Sequence, residues 1–306
     1  MTAALDAFWL SPTVRSALAV GVLVAVVTGV VGVFTVIRGQ SFAGHALAEL
    51  GAVGGSGALL VGLDQLWGFV AAGVLAALAM DGIGITRLRG RDIATGVVFA
   101  FGLGLTSLFL YWDTSRSGTS DAAVSVLFGS LFVIDPRVVP VVLGLSAVSL
   151  ALVVLLHRRL LTDSLHPDLA AARGASPRLT GLLFLVVLAL AVELAALTVG
   201  AILATALLVG PAASALLMTK RAGLAVVVSA AISVAVTVAG CFVAFESYYW
   251  SGGGGNWPVS FSIVVLVLLV YLASRGAAAL RRRRGLGGSG APSGGAVLAG
   301  PLEEVG

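Results

Sequence analysis

Long apolar runs separated by short polar breaks dominate the chain. Nine runs are candidates for membrane spans, judged against the roughly 20 apolar residues needed to cross a hydrocarbon core. They are Val14–Val36, Phe42–Gly62, Leu66–Met80, Ile93–Trp112, Val138–Leu156, Leu179–Leu197, Val199–Met218, Ala222–Phe245 and Val259–Ser274. The second and third are short and rich in glycine. Asp121–Ile134 (DAAVSVLFGSLFVI) is too short to span. It is expected to form a re-entrant or interfacial helix, because irregular backbone at membrane depth must be buried in protein. The pattern predicts an all-α, polytopic membrane helix bundle of about nine spans, with eight or ten as the neighbouring counts.

Composition supports lipid as the main solvent. Of 306 residues, 59% are hydrophobic and 10% charged, with a mean hydropathy of +1.09. A soluble domain carries about 25% charged residues. Nine prolines and forty glycines fit, since both are more frequent in membrane helices than in soluble ones. The net charge of +4 and pI near 9.8 do not point to nucleic acid. The basic residues fall in clusters between apolar runs rather than on one face.

Those clusters set an orientation. Loops reached after odd-numbered spans hold Arg38, Arg87–Arg91, Arg158 through Arg178, Lys220–Arg221 and Arg275 through Arg284, fifteen basic residues in all. The opposite side holds three: Arg15, Arg116 and Arg137. Cytoplasmic loops carry the excess of Lys and Arg, so the N-terminus is expected outside and the C-terminus in the cytosol. Met1–Thr13 has no basic residue and no cleavage pattern follows, so the first span is expected to be retained. A single cysteine, Cys241, excludes an internal disulfide and a multi-cysteine metal site, and is expected to pack inside a span.

The longest polar segment on the cytoplasmic side is His157–Arg178. Within it, Asp168–Arg173 is expected as a short amphipathic helix after Pro167, which suits a first helical position, with Gly174 ending it. Residues 1–280 form the expected membrane domain. Residues 281–306 are expected as a basic, disordered cytoplasmic tail.

Ionisable residues within spans cost roughly 2.5–3.5 kcal/mol on insertion scales, so each is a candidate for function. His45 and Glu49 stand four residues apart near the start of the second span, which puts both side chains on one helix face. Imidazole plus carboxylate is a half-site for a divalent cation such as zinc or manganese. The alternative is a neutral His hydrogen-bonded to a protonated Glu as structural glue. Glu193, in mid-span, has a structural or gating role: it pairs with His45 across the bundle or binds a backbone amide while protonated. Asp121 and Asp135 bracket the short helix on the outer side. Asp64, Asp113 and Glu246 add to a mildly acidic entrance that attracts cations.

There is no G-x-x-x-x-G-K-[ST], so the chain does not itself cradle ATP phosphates. Gly54-Gly55-Ser56-Gly57 matches the G-x-S-G of intramembrane serine proteases, but a nucleophile there needs a neighbouring base. The stretch reads instead as small residues that let helices approach closely.

Four segments in order resemble the zinc/manganese-type family of ABC transporter permeases. The first is Arg38, Ser41-Phe42 and Gly44 through Glu49, similar to the family's "G-D-A-L-S-H" segment opening the second span. The second is Leu127-Phe128-Gly129-Ser130-Leu131, following the acidic Asp121. The third runs from Val199-Gly200-Ala201 through Gly210-Pro211-Ala212 to Ala215, and the fourth is His166-Pro167-Asp168-Leu169-Ala170 to Gly174. The family places Asp first and His four later; here His45 takes the Asp position and Glu49 the His position. The resemblance covers Val14 to the last span.

It implies an ATP-driven importer of a divalent transition metal in the bacterial inner membrane, with zinc expected ahead of manganese. The implied partners are a second permease copy, cytosolic ATPase subunits that bind the ATP, and an extracytoplasmic metal-binding protein. The chain would be a transporter subunit rather than an enzyme, with no cofactor of its own. Leu165, His166, Pro167, Asp168, Leu169 and Gly174 would dock into the ATPase. Access to His45 and Glu49 would alternate at the interface between permease copies, with Glu193, Asp121 and Asp64 along the pathway or at its gate. The rivals are a cobalamin- or siderophore-type permease, and an ion-coupled secondary carrier using Glu193 as proton relay.

Overall fold

A computed structural model describes residues 11–82, 91–129, 131–133, 135–165, 177–250 and 257–286. Among them every regular element is helical and no strand occurs. Pro12 stands in the first turn of α1 (Pro12–Ile37), where its missing N–H would have had no helical partner. Past the end of α1, Gly39 adopts φ +63°, and the amides of Gly39 and Gln40 return to the carbonyls of Val36 and Thr35. This left-handed cap reverses the chain at once into α2 (Ser41–Leu60). There follow α3 (Gln65–Gly82), α4 (Arg91–Ser117), α5 (Asp121–Phe128) and single 3-10 turns at Leu131–Val133 and Pro136–Val138. The chain continues as α6 (Val139–Leu165), α7 (Pro177–Val199), α8 (Ala201–Met218), α9 (Ala222–Trp250) and α10 (Val259–Leu286).

Among the described residues, nine long helices coincide with the nine apolar runs. Eight are long and apolar enough to cross a membrane. The ninth, α2, has the length but not the composition, because its 20 residues include His45, Glu49 and five glycines. It is sheltered by protein instead, packing against α1, α3, α4, α5, α7 and α8. α7 is the other central helix, touching α1, α2, α3, α6 and α8 and buried along nearly all of 184–199. The outer helices turn apolar side chains outward, among them Val97, Phe101 and Tyr111 of α4 and Leu143, Val154 and Leu155 of α6. Such a surface fits lipid and not water.

Glycines set the closest crossings. A Cβ on Gly54 of α2 would meet the carbonyl oxygen of Gly68 on α3, and one on Gly68 would meet that of Gly54. On the other side, the hydroxyl of Ser229 on α9 donates to the Gly29 carbonyl of α1 at 2.7 Å. The expectation that Gly54–Gly57 serves packing therefore holds. Ser56 is buried, with its hydroxyl bonded to the carbonyls of Ala52 and Val53 in its own helix, not poised as a nucleophile.

The segment after Asp121 is the short helix α5, as expected. It ends at Gly129 (φ +79°), and Gly200 (φ +93°) is the single residue between α7 and α8. These two breaks pack on each other. A Cβ on Gly129 would meet Thr198, and one on Gly200 would meet Leu127 and Phe128. This short helix is thereby keyed to the α7–α8 turn.

One boundary differs from the sequence reading. The tail was expected from residue 281, yet α10 continues through Arg281–Arg284 to Leu286. Alanine, leucine and arginine are all strong helix formers, so the helix propagates beyond its apolar stretch. Residues 287–306 lie outside the described residues. Cys241 is free and fully buried, as expected of a packing residue.

Candidate metal site beside α2

His45 faces a cleft of roughly 730 Å³ between α2, α8 and α10. Its lining is mostly aliphatic, and Ser41, His45, Thr205 and Tyr271 supply the polar groups. Two neighbours hold the imidazole. Nδ1 lies 2.9 Å from the Thr205 hydroxyl on α8, and the ring stacks on Phe99 of α4 with centroids 4.8 Å apart. Among the described residues, this leaves Nε2 as the nitrogen without a protein partner. When Nδ1–H donates to Thr205 Oγ1, the Nε2 lone pair is available for a metal; a hydrogen-bonded second nitrogen is the usual way a ligating histidine is oriented.

Glu49 lies one turn further along α2, 1% exposed, with Oε2 buried and, among the described residues, without a hydrogen-bond partner. α4 makes room for it: a Cβ on Gly102 would lie 3.5 Å from the Cβ of Glu49, and Thr106 approaches the Glu49 carbonyl at 3.5 Å. An ionised carboxylate held there with no counter-charge would be unfavourable by several kcal/mol, so the position suits an arriving cation or a bound proton. Among the described residues, no group of three or more His, Cys, Asp or Glu converges on a common point. The described residues of one copy thus bring together two candidate ligands, His45 and Glu49, whereas transition-metal sites take four or more.

Glu193 does not reach His45. Its carboxylate, 1% exposed and without a hydrogen-bond partner, fits between Gly51 of α2 and Gly73 of α3, where a Cβ on either glycine would collide with it. It lies within Coulomb range of Glu49. Asp64 is exposed and caps α3, accepting from the Leu66 amide at 2.8 Å. Asp121 is exposed in the first turn of α5, and Asp135 accepts from the Arg137 amide at 2.9 Å. These three are surface positions away from the cleft lining. Leu165 is the last residue of α6. His166, Pro167, Asp168, Leu169 and Gly174 lie outside the described residues.

Thr205 and Phe99 went unnoticed in the sequence. A threonine in an apolar span usually bonds its own helix, as Thr28 and Thr35 do here, so nothing in its neighbours marks Thr205 as different.

The pattern of the ABC 3 transport family matches residues 11–275. The chain is 30% identical to the manganese transport system membrane protein MntC of Halalkalibacterium halodurans, over 74% of this chain and 77% of that protein. It is 32% identical to the chelated iron transport system membrane protein YfeC of Yersinia pestis, over 84% and 85%. Among solved structures, PsaBC from Streptococcus pneumoniae in complex with Fab superposes with a TM-score of 0.75 at 26% identity, covering 90% of this chain and 95% of that one. With helices, glycine breaks and family pattern running together along its length, the chain belongs to the ABC 3 transport family, as a membrane permease subunit of the bacterial inner membrane whose ATPase is a separate subunit.

Proposed function

We propose that this chain is the metal-conducting subunit of an ATP-driven importer, and that His45 and Glu49 are half of its transport site. The observation that carries the proposal is the pair itself: an imidazole with one nitrogen anchored and one open at a cleft, and a buried carboxylate oxygen one helical turn away with no partner. A second permease copy across the cleft would bring a matching pair and raise the ligand count to four.

Manganese is the first cargo to test, with ferrous iron second. The zinc preference expected from the sequence draws no support from the relatives, which are named for manganese and chelated iron. The carboxylate suits those harder ions, and imidazole is a good donor to iron as well as zinc. The basic-residue asymmetry supports a N-terminus outside, a C-terminus in the cytosol and the ATPase-coupling role of the loop 157–178. A siderophore-type permease would leave the His45–Glu49 pair without a task, and a proton-relaying carrier would need Glu193 to communicate with the cleft.

The test is uptake of radiolabelled manganese, iron and zinc into vesicles that hold the chain with its ATPase and binding protein. His45→Ala and Glu49→Gln should each abolish uptake while assembly and ATP hydrolysis persist. Unchanged uptake in both variants would overturn the assignment and return the pair to a structural role.

A further inference from the structure

A second cavity lies away from the transport cleft, at the end of the bundle where α1 finishes and α9 begins. Its volume is roughly 300 Å³. The floor is α1, through Val30, Val33, Phe34 and Ile37; Val154 of α6 and Val226 of α9 stand on either side. Both flanking helices pack on α1, so the space between them is a groove along α1. From Val30 to Ile37 it runs about 10 Å along the helix axis.

The groove opens toward lipid. Leu155 and Val227, next to its walls, are 75% and 64% exposed, and Val154 and Leu224 are exposed as well. An apolar slot with an apolar rim takes up hydrocarbon. Basic residues adjoin the lining of the slot in the sequence. Lys220 and Arg221 immediately precede Ala222 and Gly223, which line it, and both are exposed. Arg158 and Arg159 follow His157, which also lines it, and are exposed too. Basic pockets between membrane helices at the headgroup level recognise anionic lipid headgroups.

We propose that this groove holds an acyl chain of an anionic phospholipid, with Lys220 and Arg221 at its phosphate. The ligand class follows from the two halves together: hydrocarbon in the slot, negative charge at its mouth. The inference is independent of the cargo and of His45.

Gly223 makes the proposal testable without unfolding the protein. Gly223 lines the groove and a Cβ there meets nothing within 4 Å, so Gly223→Leu adds bulk at the groove without a clash. The permease is reconstituted with its ATPase in bilayers carrying trace phosphatidylglycerol with a photoreactive acyl chain, and crosslinked peptides are mapped. The expected result is labelling of α1, α6 and α9 around Phe34, Val154 and Val226, with little labelling by the phosphatidylcholine analogue. Gly223→Leu should remove it. Lys220→Gln combined with Arg221→Gln should erase the headgroup preference, a change of up to roughly 30-fold for two cations at an anionic surface. Labelling that survives Gly223→Leu, or that ignores the headgroup in the wild type, overturns the proposal. So does labelling seen only when the ATPase is left out, which would assign the groove to the subunit interface.

Discussion

Nδ1 of His45 and the hydroxyl of Thr205 lie 2.9 Å apart, joining α2 to α8 at the wall of the cleft. If His45 binds the cargo through Nε2, this contact fixes its tautomer. Thr205→Val keeps the shape and removes the acceptor. Metal affinity of the assembled transporter, measured by equilibrium binding, should fall by about 10- to 100-fold. Thr205→Ser should restore it. A drop in thermal stability with unchanged affinity would show the contact to be mere packing.

The carboxylate of Glu193 occupies the space that side chains at Gly51 and Gly73 would need. Gly51→Ala should therefore destabilise the permease by about 1–3 kcal/mol, the usual range for overpacking. Shortening the obstructing side chain should relieve it. In a double-mutant cycle of Gly51→Ala with Glu193→Ala, thermal unfolding in detergent should reveal a favourable coupling of about 0.5–3 kcal/mol. Additive effects would mean that the carboxylate moves aside freely.

Gly54 and Gly68 meet backbone to backbone, so neither neighbour can yield by changing rotamer. Gly68→Ala should sharply lower the yield of folded protein. Gly104→Ala offers the control: a Cβ there meets nothing within 4 Å, and exchanging a helical glycine for alanine is worth roughly 0.5–1 kcal/mol in favour of the helix. Size-exclusion profiles of the two variants should separate clearly.

Asp64 was expected along the acidic pathway, but it is bonded as a helix cap. Asp64→Asn removes the charge and keeps the capping oxygen. Uptake and stability should both stay near wild type. Asp64→Ala should cost about 1 kcal/mol of stability with transport per folded molecule unchanged. Slowed uptake in Asp64→Asn at low ionic strength would restore a role in attracting cations.

The long helices were legible because lipid imposes one rule on every span: apolar side chains over a fixed length, with charges left at the ends. The His45–Glu49 pair was legible because four-residue spacing has only one geometric meaning in a helix. The partners of those side chains were not. Phe99 and Thr205 are 54 and 160 residues from His45 along the chain, and only the packing of α4 and α8 on α2 brings them in. The neighbours of Glu193 were hidden for a related reason. Glycines say that something comes close, and leave open whether it is a backbone, as at Gly54, or a carboxylate, as at Gly51. The end of α10 was misplaced because hydropathy marks where lipid stops, while helix propensity decides where the helix stops.

α2 fails the compositional test for a span while lying among helices that pass it. A fixed threshold on mean hydropathy would skip it, and the error would not stay local. If α2 crosses the membrane, omitting it inverts the sidedness assigned to every loop downstream, including the stretch between α6 and α7. The helix that carries His45 and Glu49 is thus the one whose neighbours, rather than lipid, do its solvating, and it is also the first to vanish from a map based on oiliness.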